Sequence, residues 1–231
     1  MHYFFMFFQG TTGSVAADAA QPQQQSVLEL LSESTPGMVI LISLLFMSII
    51  SVTIFFSRYR TITAANKMDE GFMNNIRAHV QSGNIGAARA LCQSTNSPVS
   101  RMVEKGLMRI GRPLDDIEHA IENVGKLEIF NLEKNINVLA IIAGVAPMFG
   151  FLGTIAGMIQ TFQSLASANN LSIGVISGGI YVKMFTSGAG LIVGIFAFVA
   201  YNYLNSMIDR VVNKMEHSTF DFIDLLQEPA N

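Results

Sequence analysis

Three long apolar runs constrain this chain more than any other feature. They cover residues 37–57, 135–160 and 173–203, and the first contains no charged residue. A helix needs about 20 apolar residues to cross a bilayer, so each run is long enough. Half of the 231 residues are hydrophobic and only 13% are charged, which is too apolar for a soluble domain of this size. The sequence therefore predicts an all-α integral membrane protein with three transmembrane helices.

The distribution of lysine and arginine predicts the orientation of these helices. Eleven of the 14 such residues lie within residues 58–134, and none lies within residues 1–57 or 161–172. Cytoplasmic segments next to membrane spans carry the excess of basic residues, so we expect the N-terminus outside and the C-terminus inside. The predicted order is an outer, periplasmic tail (1–36), a first span (37–57), a cytoplasmic helical domain (58–134), a second span (135–160), a short periplasmic turn (161–172), a third span (173–203) and a cytoplasmic C-terminal helix (204–231).

The first 25 residues allow two interpretations. A short apolar run is followed by alanines of the kind found at signal-peptide cleavage sites, but no lysine or arginine precedes it. The segment is therefore either a signal peptide or an outer tail. Both interpretations leave the N-terminus outside.

Helical periodicity continues beyond the second and third spans. Ile117, Ile121, Val124 and Leu127 recur at spacings of three and four before the second span. The same spacing follows the third span. We therefore expect both spans to be the membrane ends of long helices that pack together in the cytoplasm.

Several classes of function are disfavoured by composition. Cys92 is the single cysteine, and the four histidines are scattered along the chain, so the sequence predicts no disulfide, metal site or cofactor. No pattern resembles a nucleophile triad or a phosphate loop, so we do not expect an enzyme. A net charge of −3 predicts no nucleic-acid partner.

Two stripes of small residues run along the second and third spans. Small faces let helix backbones approach closely in lipid, where packing drives helix association. A proline within a span is tolerated where neighbouring groups satisfy the freed backbone carbonyl. The predicted packing residues are Pro147, Gly150, Gly153 and Gly157 in the second span and Gly179, Gly190 and Gly194 in the third. They indicate either an ordinary helix interface or a close contact around a partner.

Lys183 is the one charged residue inside a predicted span. Counted from residue 173 it lies about 15 Å along the helix, near the midplane. Charges at such depth are costly and usually functional. Residues 134–208 contain no Asp or Glu, so a carboxylate partner would come from another protein. The alternatives are a lysine that snorkels to the interface and one that is buried neutral. The same lack of acids and histidines argues against a self-contained proton relay.

Two segments carry a family resemblance. "LAIIAGVAPMFGFLGTIAGMIQTF" (139–162) and "SGGIYVKMFTSGAGLIVGIFAFVAYNYL" (177–204) closely resemble the MotA/TolQ/ExbB proton-channel family, and the three spans are most like ExbB. The resemblance implies a pentameric ring in the bacterial inner membrane, around a dimer of an ExbD-like single-span protein whose aspartate carries the proton. A TonB-like energy transducer would pass the work on to transport across the outer membrane. The alternatives are a TolQ-like motor for envelope maintenance, a channel or transporter that carries a small solute alone, and a scaffold.

The resemblance also suggests site residues. Thr154 matches the threonine of the family's LGT element, and Ser187 matches a small hydroxyl residue of the third span. With Lys183 and Thr186 they form the predicted pore-lining, partner-facing set, although each hydroxyl taken alone can simply bond to its own helix. Relatives usually carry a glutamate where this chain has Val182. This departure suggests that Lys183 neutralises or gates the partner's aspartate.

Overall fold

The chain is helical throughout the part that the structure, a computed structural model, describes: residues 35–67, 71–167 and 173–227. No strand occurs in these ranges. The helices are α1 (Thr35–Asn66), α2 (Phe72–Gln81), α3 (Ile85–Ser94), α4 (Pro98–Leu107), α5 (Leu114–Glu133), α6 (Ile136–Ser167) and α7 (Ile173–Gln227). By length and composition, three helical stretches could cross a membrane, and these involve α1, α6 and α7. The predicted all-α fold with three long apolar helices is confirmed. The alternative of a signal peptide or an outer tail concerns residues outside the described part.

The three apolar helices pack into one bundle. Ile40 and Leu44 of α1 meet Ile142 and Ala146 of α6 and Ala197 of α7 in a buried cluster. Large apolar side chains also cover the outside of this bundle, such as Met148 and Ile192, which are both 70% exposed. A helix that is apolar on all sides needs lipid or other protein around it.

The second core lies between α2–α5, which we call the helical domain, and the ends of α1 and α7. Ile62, Ile76, Ile121, Leu204 and Phe222 are almost fully buried there. The short helices begin at sequence-encoded caps. The side chain of Asn84 accepts a hydrogen bond from the backbone N–H of Ala87, and Ser97 forms a capping box with Ser100.

The helix expected to continue from the helical domain into the second span is interrupted. α5 ends at Glu133, Lys134 and Asn135 form a turn in which Asn135 has a φ of 64°, and α6 begins at Ile136. Asparagine tolerates this left-handed conformation better than most residues. α7, in contrast, is continuous over 55 residues. At its other end α6 continues to Ser167, so helix occupies the first part of the 161–172 segment, and residues 168–172 lie outside the described part.

An aromatic cluster joins α1 to α7 near the helical domain. The rings of Tyr59 and Tyr203 lie 6.4 Å apart between centroids, and those of Phe55 and Phe196 lie 6.1 Å apart. Tyrosine is enriched at membrane–water interfaces, where its ring is in the apolar layer and its hydroxyl in water. This cluster therefore indicates the membrane boundary on the side of the helical domain.

Candidate functional site

The closest helix contact in the bundle is between α6 and α7, and we call this line of contact the seam. A Cβ added to Gly150 would lie 3.1 Å from the carbonyl oxygen of Ser187 and 3.2 Å from the Cα of Gly190. A Cβ on Gly190 would lie 2.7 Å from the carbonyl oxygen of Ala146. These neighbours are backbone atoms, so a larger residue would force the helices apart.

Proline and glycine face each other at one end of the seam. Pro147 lies inside α6, and a Cβ on Gly194 of α7 would lie 2.6 Å from its Cγ and 3.2 Å from the carbonyl oxygen of Ala143. The proline ring thus occupies the space left by the missing side chain of Gly194. Pro147 and Gly194, which belong to the two stripes of small residues, are therefore in direct contact.

Thr186 lies in the interior of the three-helix bundle. It is 2% exposed, and its Cγ2 is 2.9 Å from the position of a Cβ on Gly153, a position that Ile40 of α1 also approaches to 3.5 Å. Its expected partner-facing role stays a prediction. Neighbouring residues on a helix point about 100° apart, so Thr186 and Ser187 do not share a face. In this chain the methyl group of Thr186 lies against Gly153 of α6.

Thr154 and Ser187 are both half-buried at the seam. The hydroxyl of Thr154 donates a hydrogen bond of 2.6 Å to the carbonyl oxygen of Phe151 in its own helix. Thr161, nearer the end of α6, likewise donates to the carbonyl oxygen of Gly157 at 3.0 Å. A hydroxyl that donates to backbone keeps its oxygen as an acceptor. The oxygen of Thr154 can therefore still accept a hydrogen bond from a donor outside the chain.

The side chain of Lys183 extends from α7 across to α6. The residue is only 9% exposed, and a Cβ on Gly157 would overlap its Cδ and Cε and lie 2.8 Å from its Nζ. The missing side chain of Gly157 creates the space that the lysine fills, and we call this space the Gly157 notch. Among the described residues, Lys183 has no hydrogen bond or ion pair. The pairing of Lys183 with Gly157 was missed at the sequence level, because a spacing within one helix does not say which residue of another helix lies opposite.

The remaining predicted residue and two other glycines complete the description of the seam. Gly179 lies within α7, but its surroundings are outside the described part. Gly144 and Gly188 have no atom within 4 Å of an added Cβ, so they differ from the seam glycines.

No group of three or more metal-ligating side chains occurs among the described residues.

Comparison with known proteins shows that the seam lies inside a region matched by a family model. The profile of the MotA/TolQ/ExbB proton channel family matches residues 94–217, which include all of α6 and most of α7. The chain is 33% identical to a biopolymer transport protein ExbB homologue of Methanothermobacter thermautotrophicus, over 59% of this chain and 48% of that protein. It is 31% identical to a biopolymer transport protein ExbB of Vibrio cholerae, over 40% of this chain and 41% of that protein.

A third relative is matched over more of its length. The chain is 26% identical to the Tol-Pal system protein TolQ of Haemophilus influenzae, over 80% of this chain and 84% of that protein. The matches to the two ExbB proteins span less than half of those proteins. Relatives from both branches are therefore similar to this chain.

Proposed function

Because the chain belongs to the MotA/TolQ/ExbB proton channel family, we propose that it is a ring-forming subunit of a motor driven by the proton-motive force in the bacterial inner membrane. The observation that carries the proposal is the α6–α7 seam. It lies inside the region matched to the family, and it combines close backbone contact with half-buried hydroxyls and a buried lysine.

Copies of the same chain are the proposed neighbours of the bundle. Large apolar side chains of α6 and α7 are exposed on the single chain, including Ile141 at 60%, Phe151 at 63% and Ile195 at 59%. The helical domain adds Leu127 at 58% and Phe130 at 67% on α5, beyond the apolar spans. Lipid does not cover a surface outside the membrane, so these side chains favour contact with further copies. We propose a homopentamer with the N-terminus outside and the helical domain in the cytoplasm.

The proton carrier is proposed to come from a second protein. Residues 134–208 contain no Asp or Glu, so the spans have no carboxyl group to take up and release a proton. An ExbD-like single-span protein, present as a dimer in the ring, would supply an aspartate. Its protonated carboxyl group would donate to Thr154, whose oxygen remains an acceptor, and Ser187 would contact the same group from α7.

The energised process is proposed to be TonB-dependent transport across the outer membrane. The higher identities are to proteins named for biopolymer transport, whereas the longer match is to a TolQ protein. A TolQ-like role in envelope maintenance is therefore the second candidate. Deletion in the source bacterium separates them. Loss of growth on scarce nutrients taken up through the outer membrane supports the first, and detergent sensitivity with normal uptake supports the second.

Native mass spectrometry of the detergent-extracted protein tests the proposed assembly. The chain is expressed with and without an ExbD-like single-span partner. We expect five copies that retain two partner chains. A monomer or dimer that ignores the partner would contradict the proposal and would favour a small-solute channel or transporter, although three spans without a repeat are few for a transporter.

A further inference from the structure

We propose that Lys183 in the Gly157 notch is an anion-binding site within the membrane, and that its ligand is a carboxylate on a membrane-spanning helix of another protein. The inference rests on the proposed function, because the helix would be that of the single-span partner. In this arrangement Lys183 supplies the positive charge that pairs with the carboxylate, and Gly157 leaves the space for the lysine side chain.

The first argument is the cost of the buried charge. A lysine inside a span is unfavourable by a few kcal/mol, and such residues usually pair with an opposite charge. Lys183 is 9% exposed and has no hydrogen bond or ion pair to another described residue. No acid of this chain lies between Glu133 and Asp209 in the sequence. Within the described residues of the three spans no acid lies at this depth, so we assign the anionic partner to another protein.

The second argument is the direction of the lysine side chain. A snorkelling lysine extends along its own helix toward water. Lys183 instead crosses to α6, where its Cδ and Cε fill the Gly157 notch. The next residue on α7, Met184, is 69% exposed on the outside of the chain. A lysine that bound a lipid phosphate would be expected at such an outward position. The position of Lys183 at the seam favours a protein ligand.

The third argument is the polar surroundings along the same helix faces. Ser187 follows Lys183 by one turn, and Thr154 precedes Gly157 by three residues, so each shares a face with one member of the pair. Both hydroxyl residues are half-buried. A carboxylate at this part of the seam would face the ammonium group, with a hydroxyl residue about one turn away on each helix. Charge-assisted hydrogen bonds of this kind are about twice as strong as neutral ones.

The Gly157 notch is the positioning element of the site. Gly157→Ala keeps the positive charge but adds a Cβ where the lysine carbons lie. The lysine then has to leave the notch. Lys183→Ala removes the lysine and makes the notch unnecessary, so Gly157→Ala in that background should add nothing. A glycine needed only for helix contact would instead give additive losses.

The test uses the complex of the full chain with its single-span partner. Partner retention is measured by native mass spectrometry for wild type, Lys183→Met, Gly157→Ala, Lys183→Ala and the double variant Gly157→Ala/Lys183→Ala. We expect Lys183→Met to weaken retention about tenfold or more, as for truncation of a buried interfacial charge pair. The matched control is Lys183→Met/Met184→Lys, which keeps the net charge but moves it to the outward position. It should not restore retention.

A second readout reports on the partner's carboxyl group directly. Dicyclohexylcarbodiimide reacts with protonated carboxyl groups in apolar surroundings. The carboxyl group is ionised and unreactive while it is paired with Lys183, and it is labelled only in the protonated form that donates to Thr154. Lys183→Met removes the ionised, paired form and should increase labelling of the partner's spanning peptide. A lysine with a merely structural role would leave this labelling unchanged.

The outcomes separate the two proposals. A wild-type ring that retains its partner, with retention and labelling unaffected by Lys183→Met, would overturn the anion site and leave the proposed function standing. Restored retention in the charge-moved control would also overturn the anion site. A wild-type chain that retains no partner would overturn both.

Discussion

Single glycines of the seam set how closely two spans approach. A Cβ on Gly190 would lie 2.7 Å from the carbonyl oxygen of Ala146 and 2.9 Å from the Cα of Gly150. Backbone atoms cannot rotate away as the end of a side chain can. Glycine is therefore required at these positions, because the backbone of the facing helix leaves no space for a side chain.

Gly190→Ala should destabilise the bundle. Overpacking costs about 1–3 kcal/mol where the neighbours cannot move. The matched control is Gly144→Ala, which also adds one methyl group to a spanning helix but has no atom within 4 Å of the new Cβ. Thermal unfolding in detergent measures both. A loss for Gly144→Ala as large as that for Gly190→Ala would contradict this account of the seam.

Thr154→Val removes a hydroxyl and keeps the shape of the side chain. If Thr154 accepts a hydrogen bond from the partner's protonated carboxyl group, the variant should lose about 100-fold in activity driven by the proton-motive force. The ring should still assemble. Thr161→Val is the control, since Thr161 is on the same helix and also bonds to backbone. Complementation of a deletion strain gives the readout. Equal activity of the two variants would remove Thr154 from the proton route.

Cys92 should be unreactive in the folded protein. Burial, and after it the carboxylate of Glu104, raises the pKa of the Cys92 thiol from 9.0 to about 12. The thiolate is the reactive form, and three pKa units reduce its population at pH 8 about a thousandfold. Iodoacetamide should therefore label Cys92 only after unfolding. Because the unfolded thiol loses its proton near pH 9 and the folded thiol does not, the free energy of unfolding should fall as pH rises above 9. Rapid labelling of the folded protein would contradict the burial of this thiol.

Ion pairs between helices act at the scale of elements, and one pair joins α4 to α5. The Nε and Nη2 atoms of Arg101 donate to the two carboxylate oxygens of Glu128 at 2.7 and 2.6 Å. The Glu128 side chain is 11% exposed. A third nitrogen of Arg101 donates to Asn96 in the turn before α4. The guanidinium group thus fixes α5 against the start of α4.

Arg101→Met should destabilise the helical domain by about 1–3 kcal/mol, because it leaves a poorly exposed carboxylate without its partner. The control is Lys126→Met, which breaks the exposed pair with Glu122 within α5 and should cost less than about 0.5 kcal/mol. Arg101→Met/Glu128→Gln should recover part of the loss, since no unpaired charge remains. Denaturant titrations in detergent measure all three. Equal losses for Arg101→Met and Lys126→Met would show that the α4–α5 pair contributes little.

Much of the element pattern could be predicted from sequence, because hydrophobic runs and caps are local signals. The apolar runs predict the three long helices, and turn residues predict the breaks around residues 82–84 and 95–97. The break at Asn135 carries a weaker signal, because an asparagine alone marks it and neither proline nor glycine is present. The inward position of Thr186 and the pairing of Lys183 with Gly157 depend on how α6 and α7 align. Contacts between helices are not encoded in the periodicity of either helix alone.

The whole molecule is a three-span bundle joined to a helical domain by the continuous helix α7. Such a helix, 55 residues long, is about 80 Å in length and reaches through both parts. It buries Leu204, Val211 and Phe222 against the helical domain and Ala197 against the other spans. A change in α7 at the seam therefore has a direct mechanical connection to the far end of the molecule. This connection fits a motor subunit better than a passive anchor.

The central claim is that α6 and α7 line the pore of a ring and hold an acid-bearing helix of a partner there. Single-particle cryo-electron microscopy of the full chain with its single-span partner tests this most directly. We predict a closed ring whose central helices place a carboxyl group level with Lys183 and Ser187, with α1 on the outer wall. A ring with α1 facing the centre, or with an empty or lipid-filled centre in the presence of the partner, would contradict it.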